Sequence, residues 1–136
     1  MASYTFTLPR AIESQNKTQW AHWTKSLKIK NAWRELVSYT VKGKIPASRG
    51  GKRKLSIYRY GPRELDVTNI VGGAKFLIDA LVDWHILFDD SPKYFALGEI
   101  ANVRWLKKDG KPHTVIVIED VDDQGTTVGK HEHKLP

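Results

Sequence analysis

A small two-layer α/β (α+β) domain, with a mixed sheet of about four strands and two main helices, is the fold class predicted for this 136-residue chain. Short alternating segments stand at the start and over the last third of the chain, with two helix-period segments between them. The length suits one hydrophobic core, expected over residues 1–121, with a polar tail at 122–136. No cysteine is present, which excludes disulfides and thiolate zinc sites.

Ser3–Leu8, SYTFTL, alternates as a strand does and stops at Pro9. PRAIESQNK then reads as a loop. From Thr18 to Val41 the period is helical, but the apolar residues divide between two faces. Trp20, Trp23 and Leu27 share one; Ile29, Trp33, Leu36, Val37 and Thr40 lie opposite. The helix is either broken near Lys28–Lys30 or sandwiched between the core and a second partner. Residues 42–54, KGKIPASRGGKRK, form a basic loop with six Lys/Arg, and LSIYRY at 55–60 is a strand ended by Gly61-Pro62. ALGEIANVRWLKK (96–108) and HTVIVIEDV (113–121) read as strands of one hairpin, since Asp109-Gly110 between them is a strong hairpin signal. There are no internal repeats and no low-complexity tract.

Charge is distributed unevenly. Residues 1–60 hold 13 Lys/Arg against 2 Asp/Glu, a balance of +11; residues 61–136 hold 9 against 13, a balance of −4. A basic surface steers a polyanion in, whereas a carboxylate cluster repels it unless a cation intervenes. That combination suits a metal-dependent nuclease, and equally suits plain solubility with one polar edge. No segment approaches the roughly 18 consecutive apolar residues that span a bilayer, and MASYTFTLP lacks the apolar run of a secretory signal. A soluble cytoplasmic protein without a membrane partner is the expectation.

The densest chemistry lies in GPRELDVTNIVGGAKFLIDALVDWHILFDDSPKYF, residues 61–95. On a helical wheel of residues 69–84, Ile70, Ala74, Leu77, Ile78 and Leu81 share the side that packs on the sheet. Lys75 and Asp79, four apart, are neighbours on the other side. Thr68 or Asn69 is the expected N-cap. Gly72-Gly73 costs a helix about 1 kcal/mol per glycine relative to alanine. It implies either close approach of a backbone or phosphate, or a frayed first turn. Trp84, Ile86 and Phe88 alternate with His85 and Leu87 as a short buried extended segment, ended by Asp89-Asp90 and the turn at Ser91-Pro92. Asp66 and Asp90 flank the same helix. Mg²⁺ takes hard oxygen ligands and retains waters, so two or three carboxylates plus a substrate phosphate suffice to hold it.

These residues resemble the RusA family of Holliday-junction resolvases and related phage endonucleases. The family pattern is Asp-x-Asp-Asn, a lysine on the following helix, Asp-Ala-Leu, then Asp-Asp about ten residues on. Asp79-Ala80-Leu81 matches its middle, Lys75 stands four before Asp79, and Asp89 follows Asp79 by ten positions. DDSPKYF resembles phage members, as does the first strand ending in Leu8-Pro9 before a polar loop with Asn16. The likeness runs from the first strand to the last, and its distinctive part is residues 63–95. It implies a RusA-like fold and an Mg²⁺-dependent homodimer, with Mn²⁺ as an alternative metal, cleaving branched double-stranded DNA in a bacterial or phage-infected cytoplasm. By position, Asp66 and Asp90 would be metal ligands, Lys75 the catalytic lysine, and Asp79, Asp89 and Asn69 their supports.

The chain departs from the pattern at Asp66-Val67-Thr68-Asn69, where Thr68 stands in place of the second carboxylate, and in a longer interval from Asn69 to Lys75 containing Gly72-Gly73. Glu64, two residues before Asp66, is a substitute ligand beside Thr68 if that segment is extended. The alternative is a catalytically weak or inactive relative that still binds nucleic acid. Lys42, Lys44, Arg49, Lys52, Arg53 and Lys54, with Arg59 and Arg63, are the expected DNA contacts, giving affinity without sequence preference. Trp20 and Trp23 suit a dimer contact or burial on their own sheet. His85 reads as a packed histidine, and His131-Glu132-His133 as tail rather than a zinc site.

Overall fold

The structure is a computed structural model and describes residues 3–15 and 23–122. Asn16, Trp20 and the tail with His131 and His133 lie outside the described residues. Four strands, β1 (Ser3–Leu8), β2 (Arg53–Gly61), β3 (Phe95–Arg104) and β4 (His113–Asp120), form one sheet in the order β1-β4-β2-β3. β4 runs antiparallel to both of its neighbours, and β2 runs parallel to β3, so the sheet is mixed. Helices α1 (Trp23–Thr40), α2 (Val67–Gly73) and α3 (Lys75–Asp83) supply the second layer. This is the small α/β domain that the alternating and helical patterns predict.

Each element forms where its apolar period matches the layer it faces. In β4, Thr114, Ile116 and Ile118 are buried while Val115, Val117 and Glu119 are half-buried on the other face. Register sets Ile116 opposite Ile57 and Ile118 opposite Leu55, which continues one apolar sheet face across the two central strands. α1 is one unbroken helix. It buries Ile29, Trp33 and Val37 against the core and leaves Trp23 and Leu27 exposed, so it is not broken at Lys28–Lys30. Trp33 is fully buried, and its truncation to alanine would cost roughly 3–5 kcal/mol.

Several expectations are corrected. β3 and β4 are not a hairpin, because β2 lies between them and pairs with both. Asp109 instead closes a 3₁₀ turn at Lys107–Asp109, accepting from Leu106 N at 2.9 Å, with Gly110 at φ 130° behind it. The expected single helix over 69–84 is two, α2 and α3, meeting at Ala74. Its N-cap is Asp66, whose Oδ1 accepts from Asn69 N at 2.8 Å, not Thr68 or Asn69. Residues 84–88 are turns and bends rather than an extended run. His85 sits exposed at φ 61°, Ile86 and Leu87 are both buried, and Phe88 is half exposed. β2 begins at Arg53, so the last two residues of the expected basic loop belong to the sheet.

Gly72-Gly73 is explained by close approach of a backbone. A Cβ on Gly73 would overlap the carbonyl oxygen of Glu13, and one on Gly72 would press on the side chain of Gln15. The segment after β1 therefore lies directly against α2. Gly73→Ala is expected to lower the urea-unfolding free energy by about 1–3 kcal/mol or more. Gly51→Ala, where nothing lies within 4 Å of the added Cβ, should change it by less than about 1 kcal/mol.

Candidate functional site

Lys75 and Asp79 are placed by α3, whose Leu77, Ala80 and Leu81 are buried and so turn the other positions outward. Asp79 is half-buried and its carboxyl is raised above the ordinary carboxylate range. Burial is the main cause; Lys75 and Lys30 oppose it, while Asp90 and Asp83 add to it through their negative charge. Asp90, from the loop after α3, thus lies within electrostatic range of Asp79, as Lys75 does. Three of the predicted site residues belong to one electrostatic neighbourhood, joined by Lys30 of α1. Among the described residues no hydrogen bond or ion pair ties down the side chain of Lys75 or of Asp90.

Asp66 stands at the start of α2, exposed, with one oxygen engaged as the α2 cap and the second without a partner among the described residues. Glu64 and Thr68 are exposed beside it, Asn69 is half-buried and gives its backbone N–H to the cap, and Asp89 is half-buried. Among the described residues no three His, Asp or Glu side chains converge as a metal-holding group. Asp66 and Asp90 carry carboxylate oxygens, donors of the hard type that Mg²⁺ takes.

The expected DNA-contact residues divide. Lys42, Lys44, Arg49 and Arg63 are exposed; Lys52 and Lys54 are half-buried. Lys42 Nζ lies 4.0 Å from the ring centroid of Trp84, and Lys54 pairs with Glu119 at 3.7 Å. Arg53 and Arg59 are buried, Arg59 in the wall of a cleft that Arg63 also lines. Arg53 donates to Asp120 at 2.8 Å and to Ile86 O at 2.7 Å, joining β2 to β4 and to the loop after α3. Arg59 donates to Ile12 O, Arg63 O and Asn102 Oδ1. Its guanidinium is shifted below its ordinary value by burial first, then by the charge of Arg63, with Glu13 opposing. Tyr58 and Tyr60 lie on the open sheet face. Tyr58 donates to Glu99 at 2.6 Å, a bond that, with burial, raises its hydroxyl pKa, and Tyr60 stacks on His113 at 4.4 Å.

Sequence reasoning missed Lys30, whose charge reaches Asp79 from α1, and Glu13, placed in a loop but buried. Glu13 accepts from Trp33 Nε1 at 3.0 Å and from Arg10 Nε at 2.8 Å. No local pattern marks either, since each is defined by partners on other elements. Neither the family models nor the curated proteins compared with this chain gave a match.

The raised Asp79 carboxyl has a definite linkage. The folded state holds this proton more tightly than the unfolded chain does. Its contribution is therefore most favourable below the unfolded carboxylate pKa, about 3.9, and is lost as pH rises through the folded value. Asp79→Asn should flatten that decline and be at least as stable as the parent at neutral pH. Urea midpoints across the acid range, with a ¹³C carboxyl titration of Asp79, check both statements.

Proposed function

We propose that the chain is a RusA-like, Mg²⁺-dependent endonuclease that resolves four-way or related branched DNA by hydrolysis of a phosphodiester. The observation that carries the proposal is the return of Asp90 to the α3 neighbourhood of Lys75 and Asp79, beside a strongly basic first half of the chain. Asp66 and Asp90 would hold the cation, with Glu64 or Thr68 completing the shell. When bound, the metal would neutralise phosphate charge and lower the pKa of its water. Lys75 offers an untethered ammonium to the negative charge that develops on the phosphate. Asp79, disfavoured as an anion by burial, would act on Lys75 through its charge alone and without a close ion pair. Lys42, Lys44, Arg49 and Lys52 would contact the DNA backbone, which gives salt-dependent affinity with little sequence preference. A symmetric junction calls for a two-fold dimer in the cytoplasm presenting two such sites, and the exposed Trp23 and Leu27 of α1 are available for that contact.

A second reading, a nucleic-acid-binding relative with weak or no catalysis, is favoured by Thr68 in place of an acid and by the lack of a three-ligand cluster among the described residues. Cleavage of a synthetic four-way junction with Mg²⁺ or Mn²⁺ separates the two. Asp90→Asn is expected to reduce cleavage by about a hundredfold or more while junction affinity measured in EDTA stays unchanged. A variant cutting at the parent rate would remove Asp90 from the site. A parent protein that binds the junction but cuts with neither metal would establish the second reading.

A further inference from the structure

We propose that the cleft between residues 11–14 and the β2–α2 loop, walled by Arg59, Arg63 and Leu65, is a subsite for one backbone phosphate of the DNA, seated next to the acidic loop Glu64–Asp66. The identity of the ligand as DNA rests on the function proposed above. The cleft itself rests on geometry. It measures about 390 Å³, and its walls include Ile12 and Glu13 on one side and Arg59, Arg63 and Leu65 on the other.

Arg59 is only 7% exposed, yet it forms part of this wall. Nε donates to Ile12 O at 2.7 Å, and Nη1 donates to Arg63 O at 2.8 Å and to Asn102 Oδ1 at 2.9 Å. Those three bonds fix the plane of the guanidinium. They leave Nη2 as the nitrogen without an acceptor among the described residues. Nη2 is not among the sealed unpartnered side-chain atoms, so it is a donor that a ligand entering the cleft can take in place of water. Gly61 keeps the place open, because a side chain there would come 2.7 Å from Nη1 and 3.0 Å from Nη2.

Arg63 supplies a second charge. It is exposed and has no ion-pair partner among the described residues, and its charge bears unfavourably on Arg59. The carboxylate in the wall, Glu13, offsets part of this through its charge but gives neither guanidinium a hydrogen bond: Oε1 is occupied by Trp33 Nε1 and Oε2 by Arg10. An oxyanion placed between the two guanidiniums satisfies the free donor and removes their mutual repulsion, and planar guanidinium groups match phosphate oxygens well. Arg63, Glu64, Leu65 and Asp66 are consecutive, so a phosphate held by Arg63 sets the strand's position relative to the Asp66 carboxylate. Arg59 and Arg63 are positioning residues in this role.

The test uses the full chain and a synthetic four-way DNA junction, in EDTA for binding and in Mg²⁺ for cleavage. In EDTA, the ¹⁵N side-chain resonances of Arg59 and Arg63 should shift on adding the junction. The exposed replacement Arg63→Gln should weaken binding severalfold and reduce the slope of log affinity against log salt by about 1. Arg59→Lys, checked for folding by its urea midpoint, should lose affinity in the same way if it folds; the Arg63→Gln result decides the matter if it does not. Junction-induced shifts confined to Lys42–Lys54, with unchanged affinity and salt slope in Arg63→Gln, would overturn the subsite even if the parent cleaves DNA. Shifts at Arg59 and Arg63 with no cleavage in Mg²⁺ or Mn²⁺ would instead sustain the subsite and overturn the nuclease reading. Inorganic phosphate shifting the Arg59 resonances while the junction does not would replace DNA by free phosphate as the ligand, overturning the assignment.

Discussion

The rest of the structure depends on how the short segment after β1, residues 10–15, is gripped from four elements. Thr114 of β4 donates to Arg10 O at 2.7 Å and accepts from Ile12 N at 3.2 Å. Arg59 of β2 takes Ile12 O, Trp33 of α1 takes the Glu13 carboxylate, and Gly73 of α2 lies against the Glu13 carbonyl. A polar segment inside a packed domain has to have its backbone groups satisfied, and here the partners come from distant parts of the chain. The grip joins sheet and helical layer at one place. It also holds Arg59 rigid and, through Arg63 O, restrains the loop that leads to Asp66.

The electrostatics follow from that arrangement. Most of the basic excess of the first half stays at the surface, but Arg53 and Arg59 are drawn inside, where each is matched by oxygen acceptors. A buried guanidinium is tolerable because its planar fork distributes several directed hydrogen bonds. On the acidic side, Asp79 is disfavoured as an anion by burial and by Asp90, while Lys75 and Lys30 pull the other way. Lys75 and Asp79 stand four apart on α3 with no ion pair between them among the described residues, which under the proposed function leaves Lys75 available to a phosphate.

Much of the fold was legible because it is local. β1 was bounded by Pro9, α1 by its Ile29, Trp33 and Val37 face, and β4 by its alternation. The helix pair showed in Ile70, Ala74, Leu77 and Leu81. The hairpin between β3 and β4 was misjudged for a physical reason: alternation shows that a segment is extended, not which strand it pairs with. Asp109-Gly110 favours a tight reversal, yet the long buried run of β2 takes the central place between β3 and β4 and separates them. Likewise Trp84–Phe88 alternated on paper, but a residue at positive φ, His85, turns the backbone so that Ile86 and Leu87 are both buried.

By itself the sequence determined the class of fold, the apolar faces, the charge asymmetry and the acids and lysine of residues 64–90, since these depend on composition and on short-range period. Only the tertiary structure decided strand order, the break at Ala74, the role of Asp66 as a helix cap, and the partners of Glu13, Arg53 and Arg59. Each of those is a relation between groups far apart in the chain. Their energies come from burial and from hydrogen bonds to acceptors that no local pattern specifies.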